Sequence, residues 1–250
     1  KQNGFIKGFE LERGNFRSNI DTQVTKDISV SLNVAGKIND YYQPGGDSYE
    51  NQTTNNVVGV LLYAAPFVPL EYEGMPTSGY RGASNPAAGH SGYSKTRTMR
   101  LETSAKIEYS FPFLKGLKAG MFVGWDWQDR DSRSFKYSYE LMLYKPESKK
   151  YVRQYASNLQ PTGGMSVGDE KEQQVVLRPS ISYNQKFGLH DVGALFLYEQ
   201  TERKGNTLTG YRSDFALLDI DELPFGSTIH PTDGNFSSSI RQGYAGYVGR

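Results

Sequence analysis

From Ile28 onward the chain alternates apolar and polar residues one by one. Ile28, Val30, Leu32, Val34, Gly36 and Ile38 stand at even positions, with Ser29, Ser31, Asn33, Ala35, Lys37 and Asn39 between and after them. Met99, Leu101, Thr103, Ala105, Ile107, Tyr109 and Phe111 repeat the pattern at odd positions, separated by Arg100, Glu102, Ser104, Lys106, Glu108 and Ser110. Successive side chains on a strand point to opposite faces, so each stretch makes one apolar face and one wet face. Strands of soluble sandwiches do this over about five or six residues. Here the alternation runs for eleven and thirteen residues, and a strand that crosses a bilayer at a tilt needs roughly 9–11. The pattern predicts an all-β, antiparallel barrel wall with lipid on one face and water on the other.

Seven strands are expected, over about 15–25, 28–40, 97–111, 117–129, 172–185, 190–200 and 239–250. In the first, Phe16, Ser18, Ile20, Thr22 and Val24 oppose Arg17, Asn19, Asp21 and Gln23. Leu117, Ala119, Met121, Val123, Trp125 and Trp127 share a face in the fourth, and Val175, Leu177, Ile181 and Tyr183 in the fifth. Pro179 has no N–H for a ladder and predicts a bulge or a poorly bonded position there. Tight turns at 25–27, 112–116 and 185–189 alternate with long segments at 41–96, 130–170 and 201–238. Loops beyond about 15 residues are uncommon in compact soluble domains. Short turns on one side and long loops on the other are the anatomy of an outer-membrane barrel, with the turns periplasmic and the loops extracellular. Inside the loops, residues 55–65 have near-helical spacing ended by Pro66, and 141–144 with 151–155 read as a small hairpin around 145–150.

Composition narrows the class without deciding it. Charged residues make up 22% of the 250 and the net charge is +1, so no field draws the chain to nucleic acid. There is no cysteine, hence no disulfide, thiolate metal site or thiol nucleophile. No stretch of 18 apolar residues predicts a membrane helix. A mean hydropathy of -0.61 looks soluble, but a barrel wall turns half its strand residues to water and hides from that index. The chain opens on Lys1-Gln2-Asn3-Gly4-Phe5, without the features of a signal peptide, and ends in what reads as the middle of a strand. It reads as an internal fragment.

Several segments resemble SusC-like TonB-dependent outer-membrane transporters. They are Asn15-Phe16-Arg17-Ser18-Asn19-Ile20-Asp21, Val24-Thr25-Lys26-Asp27 and Val30-Ser31-Leu32, then Asn85-Pro86 and Ser91-Gly92-Tyr93. Further along come the Phe111-Pro112-Phe113-Leu114-Lys115-Gly116-Leu117 turn and the hairpin from Phe187-Gly188-Leu189-His190 through Gly193-Ala194-Leu195 to Tyr198-Glu199. Asp221-Glu222-Leu223 and Arg241-Gln242-Gly243-Tyr244 complete the set, in family order across nearly the whole chain. The resemblance implies that residues 1–250 are part of a plugged barrel of about 22 strands, without the plug, the TonB-contacting segment or the remaining strands. It implies import of large nutrients, glycans first and peptides second, across the cell outer membrane. It further implies a SusD-like surface lipoprotein as partner and energy through TonB. Arg17, Asn19, Asp21, Lys37, Arg100, Glu102, Lys106 and Glu108 would then face the plug or the lumen.

No catalytic set, cofactor site or metal site is expected. His90, His190 and His230 stand alone in sequence. Asp126, Asp129 and Asp131 could hold calcium but lack the glycine-containing loop, and Arg130 and Arg133 could neutralise them; solvated rim charge is the expectation, as for Asp219, Asp221 and Glu222. Loop tyrosines are the better candidates, because a flat ring with a polar tip can stack on a sugar and hydrogen-bond as well. Tyr41, Tyr42, Tyr49, Tyr72, Tyr80 and Tyr93 in the first loop, with Tyr139 and Tyr144 in the second, are the expected contacts to substrate or partner. Packing of the loops against one another is the competing role. Trp125 and Trp127 are expected in an outer aromatic girdle. Two other readings remain open, a soluble all-β carbohydrate-binding module and an outer-membrane barrel that does not import.

Overall fold

The computed structural model describes residues 1–4, 8–44, 67–80, 83–84, 92–137, 139–155, 163–229 and 233–249. In chain order the strands are β1 (Gln2–Asn3), β2 (Glu10–Gln23), β3 (Ile28–Pro44), β4 (Glu71–Tyr72), β5 (Met75–Pro76), β6 (Ser78–Tyr80) and β7 (Ala83–Ser84). They continue with β8 (Tyr93–Ser110), β9 (Leu117–Lys136), β10 (Glu140–Lys145), β11 (Lys150–Tyr155), β12 (Gly164–Phe187), β13 (His190–Phe215), β14 (Gly226–Ile229) and β15 (Asp233–Gly249). One antiparallel sheet runs β1-β2-β3-β8-β9-β12-β13, and β13 gives its far edge to both β14 and β15. The seven long strands are those expected, and the β10–β11 hairpin is the one expected in the second loop. The helical spacing at 55–65 lies outside the described residues. No helix among the described residues is long and apolar enough to cross a membrane, which says nothing of strands.

The tight turns follow from local chemistry. Thr25 Oγ1 accepts from the Asp27 and Ile28 backbone N–H groups at 3.3 and 3.1 Å, closing the first turn. In the second, the Leu117 N–H reaches the Leu114 carbonyl at 3.2 Å and Gly116 stands at φ 88°. A Cβ there would overlap the Asn184 carbonyl near the end of β12, so only glycine fits. At the third, Phe187 and His190 pair across Gly188-Leu189. Gly188, at φ 60°, takes the first central position of a two-residue hairpin loop. Pro179 makes no bulge: the β12–β13 register is the same on both sides of it, and the two pairs at 178 and 179 are missing from the ladder. It is the poorly bonded position that a missing N–H implies.

The long strands reach further toward the loops than expected, with β9 running to Lys136, β12 beginning at Gly164 and β13 ending at Phe215. Beyond Trp127 the outward positions of β9 become Asp129, Asp131 and Arg133, so the chain is polar on both faces and alternation no longer marks it as strand. Backbone pairing continues regardless.

Register gives the wall its geometry. Cross-strand partners share a face. Ile28, Tyr109, Ala119, Ile181 and Phe196 form one row, apolar from β3 to β13. Higher up, Val34, Thr103, Trp125 and Val175 are followed by Glu202 on β13. Higher again, Ile38 and Met99 are followed by Asp129 on β9 and Lys171 on β12. The upper edge of the apolar band thus steps down across the sheet. A level band cuts the register rows diagonally only if the strands are tilted to its normal, as they are in barrels at about 35–45°.

No second layer of described residues covers that band. Ile107, Ile181 and Phe196 are 50%, 53% and 56% exposed although each sits well inside the sheet. A soluble sandwich needs an inner face packed against this one at about 10 Å, and none of the described residues supplies it. Among the described residues the buried apolar side chains are Phe135, Met165 and Phe215, with Leu141 in the second loop. They lie at the loop ends of the strands, above the band.

Candidate functional site

The face opposite the band is polar. Arg17, Ala35, Glu102 and Asp126 form one of its rows; Lys37, Arg100 and Gln128 form the next. Asn19, Asn33 and Ser104 lie below, then Asp21, Ser31 and Lys106, then Ser29 and Glu108. All eight residues expected on the wet face, Arg17, Asn19, Asp21, Lys37, Arg100, Glu102, Lys106 and Glu108, therefore share one surface. Ion pairs link it within and between strands: Arg100–Glu102 at 3.5 Å, Lys106–Glu108 at 3.0 Å, Arg130–Glu170 at 3.6 Å, Arg203–Glu172 at 2.6 Å and Arg178–Glu199 at 2.6 Å. The Arg178 guanidinium also lies 5.1 Å from the Phe122 ring centroid. Opposite charges that neutralise each other in place give a hydrated wall without a strong net field. Around Ala35, Arg17, Lys37, Arg100 and Glu102 enclose a shallow depression of about 410 Å³.

The candidate tyrosines whose side chains are described do not form one site. Tyr41 lies on the polar face, its hydroxyl 3.2 Å from Gln43 Oε1. Tyr42 and Tyr93 lie on the opposite face and stack at 6.2 Å. Tyr72 stacks on Tyr151 at 4.1 Å, and Tyr144 meets Tyr151 at 5.3 Å, joining the first and second loops. Between those loops Thr77 bridges Met142, and the Thr77 hydroxyl donates to the Pro69 carbonyl. Tyr139 is half-buried between β9 and β10. Tyr49 lies outside the described residues, as does the side chain of Tyr80. The Tyr72–Tyr151 stack takes one ring face from each residue and joins the two loops.

The aspartates also separate. Asp126 points to the polar face while Asp129 and Asp131 point to the other, where Asp169 joins them with carboxylate oxygens within 4.8 Å. Neither arginine neutralises that cluster. Arg130 pairs with Glu170 across the sheet, and Lys171 sits 3.0 Å from Asp169. Arg133 turns instead to Asp221 and Glu222, at 3.9 and 3.3 Å. Asp221 and Glu222 are thus paired, where solvated charge was expected. Asp221 also accepts from the Tyr93 hydroxyl, which holds its carboxyl below the usual range, with Arg133 adding to the effect. Partial burial and the Asp221 bond push the Tyr93 phenol up to about 12. The signal for this group lay in the outward parity of β8 and β9, where Lys95, Tyr93 and Arg133 replace the apolar series.

The diagonal apolar band and the polar face behind it describe a wall with one apolar and one polar side. The fold is that of a β-barrel wall segment. Against the RagAB peptide transporter the TM-score is 0.68 at 14% identity, over 95% of this chain and 26% of that one. Against the RagAB peptide importer in its closed-closed and open-open states it is 0.64 in each case, at 14% and 15% identity. The chain spans about a quarter of the length of those chains. At such identity the likeness is one of fold, an antiparallel segment of a β-barrel wall. No family model matches the sequence, and no curated protein matches it.

Proposed function

We propose that residues 1–250 are part of the barrel of a TonB-dependent outer-membrane importer of large nutrients, working with a SusD-like surface lipoprotein. The observation that carries this is the stepped apolar band on long tilted strands, exposed on one face and backed by an ion-paired polar face on the other. The RagAB fold likeness and the ordered SusC-like segments support it. In this reading the tight turns are periplasmic and the long loops extracellular. Arg17, Asn19, Asp21, Lys37, Arg100, Glu102, Lys106 and Glu108 line the lumen or meet the plug. The wall carries no chemistry of its own; it shapes a path and holds the loops that meet substrate and partner.

For the substrate, the SusC-like resemblance favours glycans, which flat loop tyrosine rings would suit. The Tyr72–Tyr151 stack weakens that support, because those ring faces serve loop packing. A peptide is the second reading, supported by the RagAB likeness. The test is uptake of labelled oligosaccharides and oligopeptides by cells carrying the full-length protein, with and without TonB. TonB-dependent accumulation of either class supports the importer. Equal leakage with and without TonB would replace it with an open, non-importing barrel.

A further inference from the structure

Two of the SusC-like segments, Gly92-Tyr93 and Asp221-Glu222-Leu223, lie beyond the apolar band and far apart in sequence, and the structure brings them together. Segment 216–225 leaves the end of β13 and crosses the band-side face of the sheet, beyond the band. Asp221 reaches past β12 to Arg133 on β9 and Tyr93 on β8. The Tyr93 hydroxyl donates to the Asp221 carboxylate, and Arg133 Nη2 donates to the Asp221 backbone carbonyl and stands 3.3 Å from Glu222. Lys95 Nζ lies 4.3 Å from the Tyr93 ring centroid, and Tyr42 stacks on that ring from β3. Beneath the segment, Leu218 and Leu223 pack on Phe135, Met165 and Phe215.

Those anchor points are the roots of all three long loops. Tyr93 closes the first, Phe135 and Met165 bound the second, and Phe215 opens the third. Gly92 is part of the same device. It stands at φ 77°, and a Cβ there would overlap the Phe135 carbonyl. Only glycine lets β8 begin this close to the end of β9, with Tyr93 aimed at Asp221.

We propose that segment 216–225 is a clasp that fixes the roots of the three loops as one unit, with Asp221 as its positioning residue. Polar and apolar contacts from one short segment reach β8, β9, β12 and β13, so the segment adds side-chain contacts to roots that are otherwise joined only by the end of the sheet ladder. The clasp stands on these contacts and not on the importer reading; loop position during uptake would depend on both.

The test is hydrogen–deuterium exchange on the full-length protein in detergent at pH 7, for wild type, Tyr93→Phe and Asp221→Asn. The expected result is exchange at least tenfold faster in 216–225, spreading to 92–95, 133–137 and 164–167, with the band-level residues 101–107 unchanged. Acceleration confined to 216–225, or none at all, would overturn the clasp. Tyr93→Phe loses only a hydroxyl and keeps its ring on Tyr42, so it carries the test if Asp221→Asn does not insert.

Discussion

A charge placed on one face of β3 should be expensive, and the same charge one residue later should not. Ile28 and Ile38 bound the apolar series of this strand. At about 3.4 Å per residue they are roughly 34 Å apart along it. At a tilt of about 40° that covers roughly 26 Å of depth, close to the apolar band of about 25 Å on outer-membrane barrels. Leu32 then sits within about 3 Å of mid-depth by the same geometry. Arginine on the lipid face at mid-depth costs about 2–4 kcal/mol, which corresponds to roughly 30- to 900-fold in the folding equilibrium. Asn33 points the other way and donates to Ser104 Oγ at 3.2 Å; losing that bond costs about 0.5–1.5 kcal/mol. The assay is equilibrium denaturant unfolding of the full-length protein in lipid vesicles, comparing Leu32→Arg with Asn33→Arg. Equal losses at the two positions, or a larger loss at Asn33, would refute the assignment of the faces.

Other consequences are as direct. Gly116→Ala should destabilise by about 1–3 kcal/mol, as a forced left-handed residue does, seen as a lower denaturant midpoint; an unchanged midpoint would mean the turn does not press against β12 at Asn184. Pro179→Val should restore an N–H to the β12–β13 ladder and stabilise by about 0.5–1.5 kcal/mol in the same assay. Asp221 has a lowered pKa in the folded state, so its contribution is complete above the ordinary carboxylate pKa and is lost as pH falls through the lowered value. Tyr93, raised to about 12, contributes fully below pH about 10 and loses that contribution as pH rises toward 12. Protease resistance of segment 216–225 should therefore be flat from about pH 5 to 9, and a sharp change inside that window would show that another group governs it.

The strands were legible wherever one face met the apolar band, because Ile28 to Ile38 and Met99 to Phe111 declare their period directly. Their loop ends were not, since Asp129 to Ser134 are polar on both faces and only backbone pairing keeps them in the sheet. Parity alone separates Tyr41 from Tyr42, and Asp126 from Asp129, although each pair is close in sequence. The clasp was out of reach for a different reason. Tyr93 and Asp221 are 128 positions apart, and nothing local in either segment specifies the other. Their meeting depends on the strand register and on the length of the segment leaving β13. The wet-face residues needed no such information, since alternation places them once the strand is found.

The most direct test of the wall is lipid accessibility, residue by residue, along β8 and across one register row. Spin labels at positions 99 to 107 of the full-length protein in lipid vesicles would be read by oxygen and by a water-soluble nickel complex. The prediction is oxygen access at Met99, Leu101, Thr103, Ala105 and Ile107 and none at Arg100, Glu102, Ser104 and Lys106. In the Ile38–Met99–Asp129–Lys171 row, the first two positions should report lipid and the last two water. Uniform access along β8, or lipid at all four positions of that row, would contradict a tilted barrel wall.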